Sequence, residues 1–353
     1  MKILLLGMNY ASTLNSLVSG FKESGQDVSA ISFEENRSIY NSFENIHCVF
    51  PDQKLSWLAY KWKTLRGTRK LYSSVKQADV IHVYSNLTLP TKYEDKLLRF
   101  LFLKVAKHKK KFITYVGSEV RIPETDFPGN PFYKKAFQNP AYEYPYESQA
   151  CSFKHQRKFS ELGFELISTP DTLHYISDTF FKSGKMTFHA GAASTSFHKK
   201  ENPEEIRVVH APSAPVAKGS SIIRQAMENI SARHPQVNYV ELQQVSNERY
   251  QELVATCDLY IDQVIWGFHG VAAIQAMALG KPVVCYLHEI PLQYIPEDHP
   301  IINSNPSTLE ATIEKFILNP QLFDDTGKKS IAYYENYHSP KAVAQRLLKT
   351  YAE

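Results

Sequence analysis

The residues best suited to chemistry lie in one stretch, DLYIDQVIWGFHGVAAIQAMALGKPVVCY, residues 258–286. Its apolar start reads as a buried strand, followed by a loop with Gly267, His269 and Gly270 and a helix starting near Gly270. Glycines let backbone N–H groups approach a ligand closely, and a helix N-terminus favours phosphate. Gln275 lies one to two turns into that helix, within reach of a ribose or sugar hydroxyl. The helix ends at Gly280, and Lys281 and Pro282 launch the next strand.

The stretch resembles the donor-binding motif of family 4 GT-B glycosyltransferases, the glycosyl transferases group 1, in which a Gly-rich loop opens a helix reading E-A-M-A-x-G-x-P-V. QAMALGKPVV (275–284) matches at every position except the first, and Asp262, Gln263, Gly267 and Gly270 resemble the variant of one bacterial branch. VVHAPSAPVAKGSSII (208–223) is similar to the family's first C-terminal strand and loop, where a lysine before a glycine holds the donor diphosphate. Lys218 before Gly219 fits that role as a point cation beside a helix N-terminus, with Ser213 in the same loop. The plainer alternative is an exposed helix-capping lysine. YVGSEVRI (115–122) resembles the family's H-G-S-D-x-R turn, making Ser118, Glu119 and Arg121 candidates for acceptor or donor contacts. Gly7, with Met8 and Asn9, ends the first strand where the family's N-terminal loop approaches the diphosphate.

Three departures bear on chemistry. The family's E-x7-E motif has Gly267 in its first position and Gln275 in its second. A neutral amide still hydrogen-bonds a hydroxyl, more weakly than a carboxylate. The segment PSAPVA (212–217) lacks the arginine many members carry, and the N-terminal loop lacks the usual glycine pair.

The resemblance implies a metal-independent hexosyltransferase with two doubly wound Rossmann-like α/β domains facing a central cleft. It would move a hexosyl group from a nucleoside diphosphate sugar to a glycan or lipid-linked acceptor, with retention. The donor is a substrate, and no cofactor and no metal are expected. Lys218, Glu119 and Arg121 are the candidate catalytic residues. Gly7, Asn9, Ser213, Lys218, Gly219, Asp262, Gly267, His269, Gly270, Val271 and Gln275 are the candidate donor contacts. The departures motivate an alternative, a catalytically weak GT-B protein acting as a sugar-nucleotide-binding partner or sensor.

Other residues carry competing readings. His82, at a strand end, is either a site residue or a satisfied core histidine; His189 and His210 favour the core. Asp171 reads as a helix cap rather than a base. The Tyr and Phe residues of 127–146 suit either a sugar-stacking platform or packing.

Positioning these residues requires strands that end where the loops begin. KILLLG (2–7), VSAISF (28–33), DVIHVYS (79–85), KFITYVG (111–117) and FELIST (164–169) alternate with helix-length segments, predicting a parallel sheet. After a polar linker, HKKENPEE (198–205), strands are predicted at 206–212, 238–245, 258–264 and 282–287. Helices are expected at 219–233, 247–256 and 270–279. The domains would be 1–195, binding acceptor, and 196–338, binding donor, with a final helix 339–353 packing back on the first. Within the first domain, the proline- and aromatic-rich stretch 121–150 interrupts the alternation and could shape an acceptor pocket.

The charge is uneven. Residues 1–200 hold 28 Lys and Arg against 18 Asp and Glu; residues 201–353 hold 12 against 18. Stretches 56–77 and 96–112 carry the excess at helical spacing, either as a solvated face or as a peripheral contact with anionic membrane. No nucleic-acid motif accompanies the charge. No apolar run is long enough to span a bilayer, and MKILLLG lacks a cleavage site. Cys48, Cys151, Cys257 and Cys285 show neither zinc nor disulfide spacing. A cytoplasmic protein is expected, with the inner membrane surface as the alternative location.

Overall fold

The computed structural model describes residues 1–34, 46–50, 56–85, 94–182, 184–191, 195, 204–243 and 245–353. The linker residues 198–203 lie outside the described residues. Two compact units emerge. The first comprises Met1–Arg121, Ser148–Ala190 and Pro340–Glu353; the second comprises Ile122–Glu147 and Gly191–Ser339. Residues 122–147, assigned from the sequence to the first domain, thus belong with the second. Tyr133, Ala136 and Tyr142 are part of its apolar core, alongside Val208, Leu259 and Ile261.

The first unit is built on six parallel strands: β1 (Lys2–Gly7), β2 (Asp27–Glu34), β3 (Ile46–Phe50), β4 (Val80–Tyr84), β5 (Lys110–Thr114) and β6 (Glu165–Leu166). Their order, β3-β2-β1-β4-β5-β6, is that of a doubly wound sheet whose strand order reverses between β1 and β4. Leu4, Leu6, Ile81, Val83 and Ile113 form its buried centre, since strands covered on both faces must be apolar throughout. β3 was not anticipated: IHCVF is short and no periodic segment leads into it.

The second unit has five parallel strands: β7 (Ile206–His210), β8 (Val237–Glu241), β9 (Leu259–Ile261), β10 (Val283–Cys285) and β11 (Ile302–Asn303). In the order β11-β10-β9-β7-β8 the reversal falls between β7 and β9. Helices Ser220–Arg233, Asn247–Ala255 and Val271–Ala278 connect these strands close to the predicted positions. Helix Pro340–Ala352 returns to the first unit. There the carbonyl of Pro340 lies so near Gly20 of helix Thr13–Glu23 that a Cβ would meet it at 2.0 Å.

Candidate functional site

The strand reversal of the second unit brings two loops together. β7 and β9 are neighbours, with His210 opposite Ile261, so the segments leaving their carboxyl ends start side by side. From β7 the chain enters a short helix, Pro215–Lys218, turns at Gly219 and begins helix Ser220–Arg233. Gly219 has φ +80° and a Cβ there would sit 2.8 Å from Val264. Only glycine serves that turn at this approach distance.

Asp262 joins the two loops. One carboxylate oxygen accepts a bond from Lys218 Nζ at 2.8 Å, and the other accepts the Gly270 N–H at 2.6 Å. Lys218 and Asp262 side chains are 6% and 0% exposed. Burial alone would raise the Asp262 pKa; Lys218, the Gly270 N–H and His269 overcome it and hold the carboxyl below its ordinary value. Lys218 was expected either as a point cation for phosphate or as an exposed helix-capping lysine, and its burial rules out the second. A carboxylate already orients it, taking one of the ammonium's three donors.

Gln263 shapes the rest of the loop. Its amide oxygen accepts the N–H groups of Ile265 and Trp266 at 2.7 and 2.6 Å, and its amide nitrogen donates to the carbonyls of Phe268 and Tyr286 at 2.9 and 2.8 Å. Gly267 has φ +86° and faces His288, whose Cβ a methyl group would meet at 2.7 Å. The loop ends at Gly270, the N-cap of helix Val271–Ala278, which has no side-chain cap and no acidic residue in its first turn. An uncapped helix start next to a lysine suits an anionic group. His269 is buried against Phe268, and Gln275 is buried in the same helix. Ser213 is exposed in the β7 loop.

His210 is structural. Its Nδ1 donates to the Ile261 carbonyl and its Nε2 accepts from Ser220 Oγ, both at 2.8 Å. Burial pushes its pKa down to about 4, keeping it neutral.

Segment 122–147 buttresses the loops from within the same unit. The Glu143 carboxylate accepts the N–H groups of Val216 and Ala217 at 2.9 and 3.1 Å. Asn130 Nδ2 donates to the Ile265 carbonyl, and Trp266 Nε1 donates to the Tyr142 hydroxyl at 3.2 Å. Tyr133 and Tyr142 hydroxyls both donate to Glu147. These two rings are therefore core rather than a stacking platform. Sequence reasoning missed Glu143 and Asn130; the one local signal was Asn130 before Pro131, a helix-cap pattern.

In the first unit, Gly7 ends β1 at that sheet's own reversal, with φ +152° and the Tyr84 carbonyl 2.0 Å from where a Cβ would stand. Asn9 is buried and accepts the Asn15 N–H at 3.1 Å, and Ala11 and Ser12 between them hold φ of +45° and +62°. Two consecutive non-glycine residues in this region store strain of the kind found at functional loops. Glu119 is buried and accepts the Val116 N–H at 2.9 Å. Burial raises its pKa, and Val116, Ser85 and Arg121 oppose this without cancelling it. Ser118 occupies the same turn, and Arg121 lies against Gly117.

Asp171 does not cap a helix: Thr172 holds the N-cap position of the short turn Leu173–Tyr175, and its hydroxyl bonds Thr169 rather than the turn. Asp171 pairs with His189 at 3.4 Å. Burial would raise its pKa, but His189, Thr169 and Arg121 hold the carboxyl at about 2. His82 belongs to the core. Thr114 Oγ1 donates to the Ile167 carbonyl, so it accepts from His82 Nε2 at 2.9 Å, and Nδ1 accepts from the Tyr351 hydroxyl at 2.6 Å.

Residues 223–333, spanning helix Ser220–Arg233 to the helix Gln321–Tyr333, match the family described as glycosyl transferases group 1. By sequence no curated protein matches the chain. HepE of Anabaena, solved with UDP and glucose, has a TM-score of 0.60 at 14% identity, covering 100% of this chain and 99% of its own. Sucrose-phosphate synthase of Thermosynechococcus elongatus gives 0.59 at 13%, covering 100% and 98%. A mutant of TarM from S. aureus, in complex with fondaparinux, α-GlcNAc-glycerol and UDP, gives 0.60 at 10%, covering 100% of both chains. The fold is GT-B, two parallel-sheet Rossmann-like units.

Proposed function

We propose that this chain is a glycosyltransferase using a nucleoside diphosphate sugar, with the donor diphosphate held at the meeting point of the β7 and β9 loops. The observation carrying this is the Lys218–Asp262–Gly270 arrangement: a buried, oriented ammonium beside an uncapped helix start. The two remaining Lys218 donors and the first amides of helix Val271–Ala278 would bind phosphate oxygens. Gln275, in the second turn, would bond a ribose hydroxyl. Similar structures were solved with UDP, and the group 1 match covers this loop and helix.

In the reaction proposed, the bond from the anomeric carbon to the diphosphate oxygen breaks and a bond to the acceptor hydroxyl oxygen forms. The acceptor's proton passes to the departing diphosphate, whose growing charge Lys218 and the helix amides stabilise. Transfer with retention, without a metal ion and to a glycan or lipid-linked hydroxyl, completes the proposal. Glu119 and Arg121 would contact the acceptor, Glu119 from a buried carboxyl whose pKa burial raises.

Thermal unfolding in the presence of UDP, GDP, ADP and their sugars tests the donor site. A ligand at 100 times its dissociation constant adds about 2.7 kcal/mol to stability. No shift with any of them sinks the proposal. A shift without hydrolysis or transfer over a broad acceptor panel would identify a sensor instead.

A further inference from the structure

Helix Trp57–Gln77 of the first unit buries Gly67, Leu71 and Val75 but turns other apolar side chains outward. Trp57, Leu58, Trp62 and Leu65 are 67%, 71%, 71% and 54% exposed. At 100° per residue these four and Tyr72 share a sector of about 140°. Tyr72 stacks on exposed Phe100 at 6.4 Å between centroids, extending the patch onto the next helix, Glu94–Phe100. Single exposed apolar residues are ordinary on a surface, but a contiguous group on one helix marks an interaction face.

The charges on this helix have one sign. Lys61, Lys63, Arg66, Arg69, Lys70 and Lys76 are its ionised side chains, with no Asp or Glu from Trp57 to Gln77. Among the described residues none of the six forms an ion pair with a carboxylate; Lys61 Nζ instead stands 3.7 Å over the Trp57 ring. Lys61, Arg69 and Lys76 fall inside the apolar sector and Arg66 lies just beyond it.

We propose that this face docks on a bilayer surface carrying anionic lipid. Trp57, Leu58, Trp62 and Leu65 would enter the boundary between headgroups and acyl chains, where indole rings are most stable. Lys61, Arg66 and Arg69 would pair with headgroup phosphates while their stems lie along the apolar surface. A second copy of the chain fits poorly, because a two-fold contact would set this uniformly positive face against itself. A soluble polyanion would use the charges yet leave Leu58 and Leu65 in water. Among the described residues no helix is long and apolar enough to cross a membrane, so the contact lies on the surface. It does not depend on what the second unit binds.

Flotation of the full-length protein with phosphatidylcholine vesicles, alone or mixed with phosphatidylglycerol, tests it. The wild type should float with the mixed vesicles only, and less as salt rises. Neutralising a basic residue near the surface lowers partitioning roughly fivefold, so R66Q/R69Q should lose roughly 25-fold. W57S/W62S should lose binding while circular dichroism and the unfolding midpoint stay unchanged, because both side chains are exposed. Two of the chain's three tryptophans lie here, so brominated lipid should quench most of the wild-type emission. Failure to bind either vesicle, or equal binding to both, overturns the proposal. So does a Trp62-dependent dimer in sedimentation velocity.

Discussion

Replacing Lys218 separates stability from binding in a way that the geometry makes quantitative. Its ammonium lies 2.8 Å from the fully buried Asp262 carboxylate. Lys218→Met leaves Asp262 with the Gly270 N–H and His269 but without its ammonium partner. Breaking one side of a buried ion pair costs about 3–5 kcal/mol. For a folding unit of 150–250 residues each kcal/mol moves the midpoint by about 2–4 °C, giving a drop of roughly 6–20 °C. Adding Asp262→Asn removes the stranded charge while an amide oxygen still accepts the Gly270 N–H. The double variant should regain much of the loss, with a coupling energy of about 1–3 kcal/mol. It should not regain nucleotide binding, since the ammonium is absent from both variants. Acid gives a further check. The Asp262 pKa is depressed in the folded state, so its contribution is full above the unfolded value of about 3.9 and is lost as pH falls through the folded value. Without the ammonium, burial raises the Asp262 carboxyl, so the penalty for Lys218→Met should be full where the variant's Asp262 is ionised and shrink as pH falls through that raised value. Calorimetric unfolding and titration with UDP measure both properties. A single variant melting within about 2 °C of wild type, a double variant no better than the single, or unaltered UDP affinity would refute this.

Gly267→Ala places a methyl 2.7 Å from His288 Cβ at φ +86°, and should cost roughly 1–3 kcal/mol in urea unfolding and weaken UDP binding several-fold. Glu143→Ala leaves the Val216 and Ala217 N–H groups without their carboxylate. A loss of roughly 1–3 kcal/mol is expected, with weaker nucleotide affinity by calorimetry. His82 and His210 have folded pKa values pushed down to about 3 and about 4 by burial. From there up to the ordinary 6.5 the unfolded chain binds more protons. Stability should rise with pH across that window, by up to about 1.4 kcal/mol per pH unit for each histidine, and level off above it. His82→Gln should flatten the slope in denaturant titrations at several pH values; an unaltered slope would place the proton uptake elsewhere.

The α/β alternation, the paired Rossmann-like units and the loop–helix at 258–286 were legible because their signals are local. Apolar runs of strand length, a glycine pair before a helix and QAMALGKPVV each lie within about thirty residues, where periodicity and turn chemistry act directly. The same holds for the Lys218–Gly219 pair as a motif, although the approach of Val264 that excludes a side chain at Gly219 is tertiary. β3 and β11 escaped notice because five and two residues carry too little pattern.

What tertiary structure alone decided is which distant groups meet. Asp262 lies 44 residues from Lys218, and only the adjacency of β7 and β9 makes the one the counter-ion of the other. Glu143 lies 73 residues from Val216, and nothing in its own neighbourhood indicates that it satisfies the amides preceding Lys218. His82 resembled a site residue until the returning C-terminal helix placed the Tyr351 hydroxyl on its ring. The sequence determined where each loop begins and which side chains it carries, because backbone conformation and burial pattern are local. The partners of those side chains, and hence their charge and availability, follow from long-range packing, which selects among contacts that local sequence leaves equal.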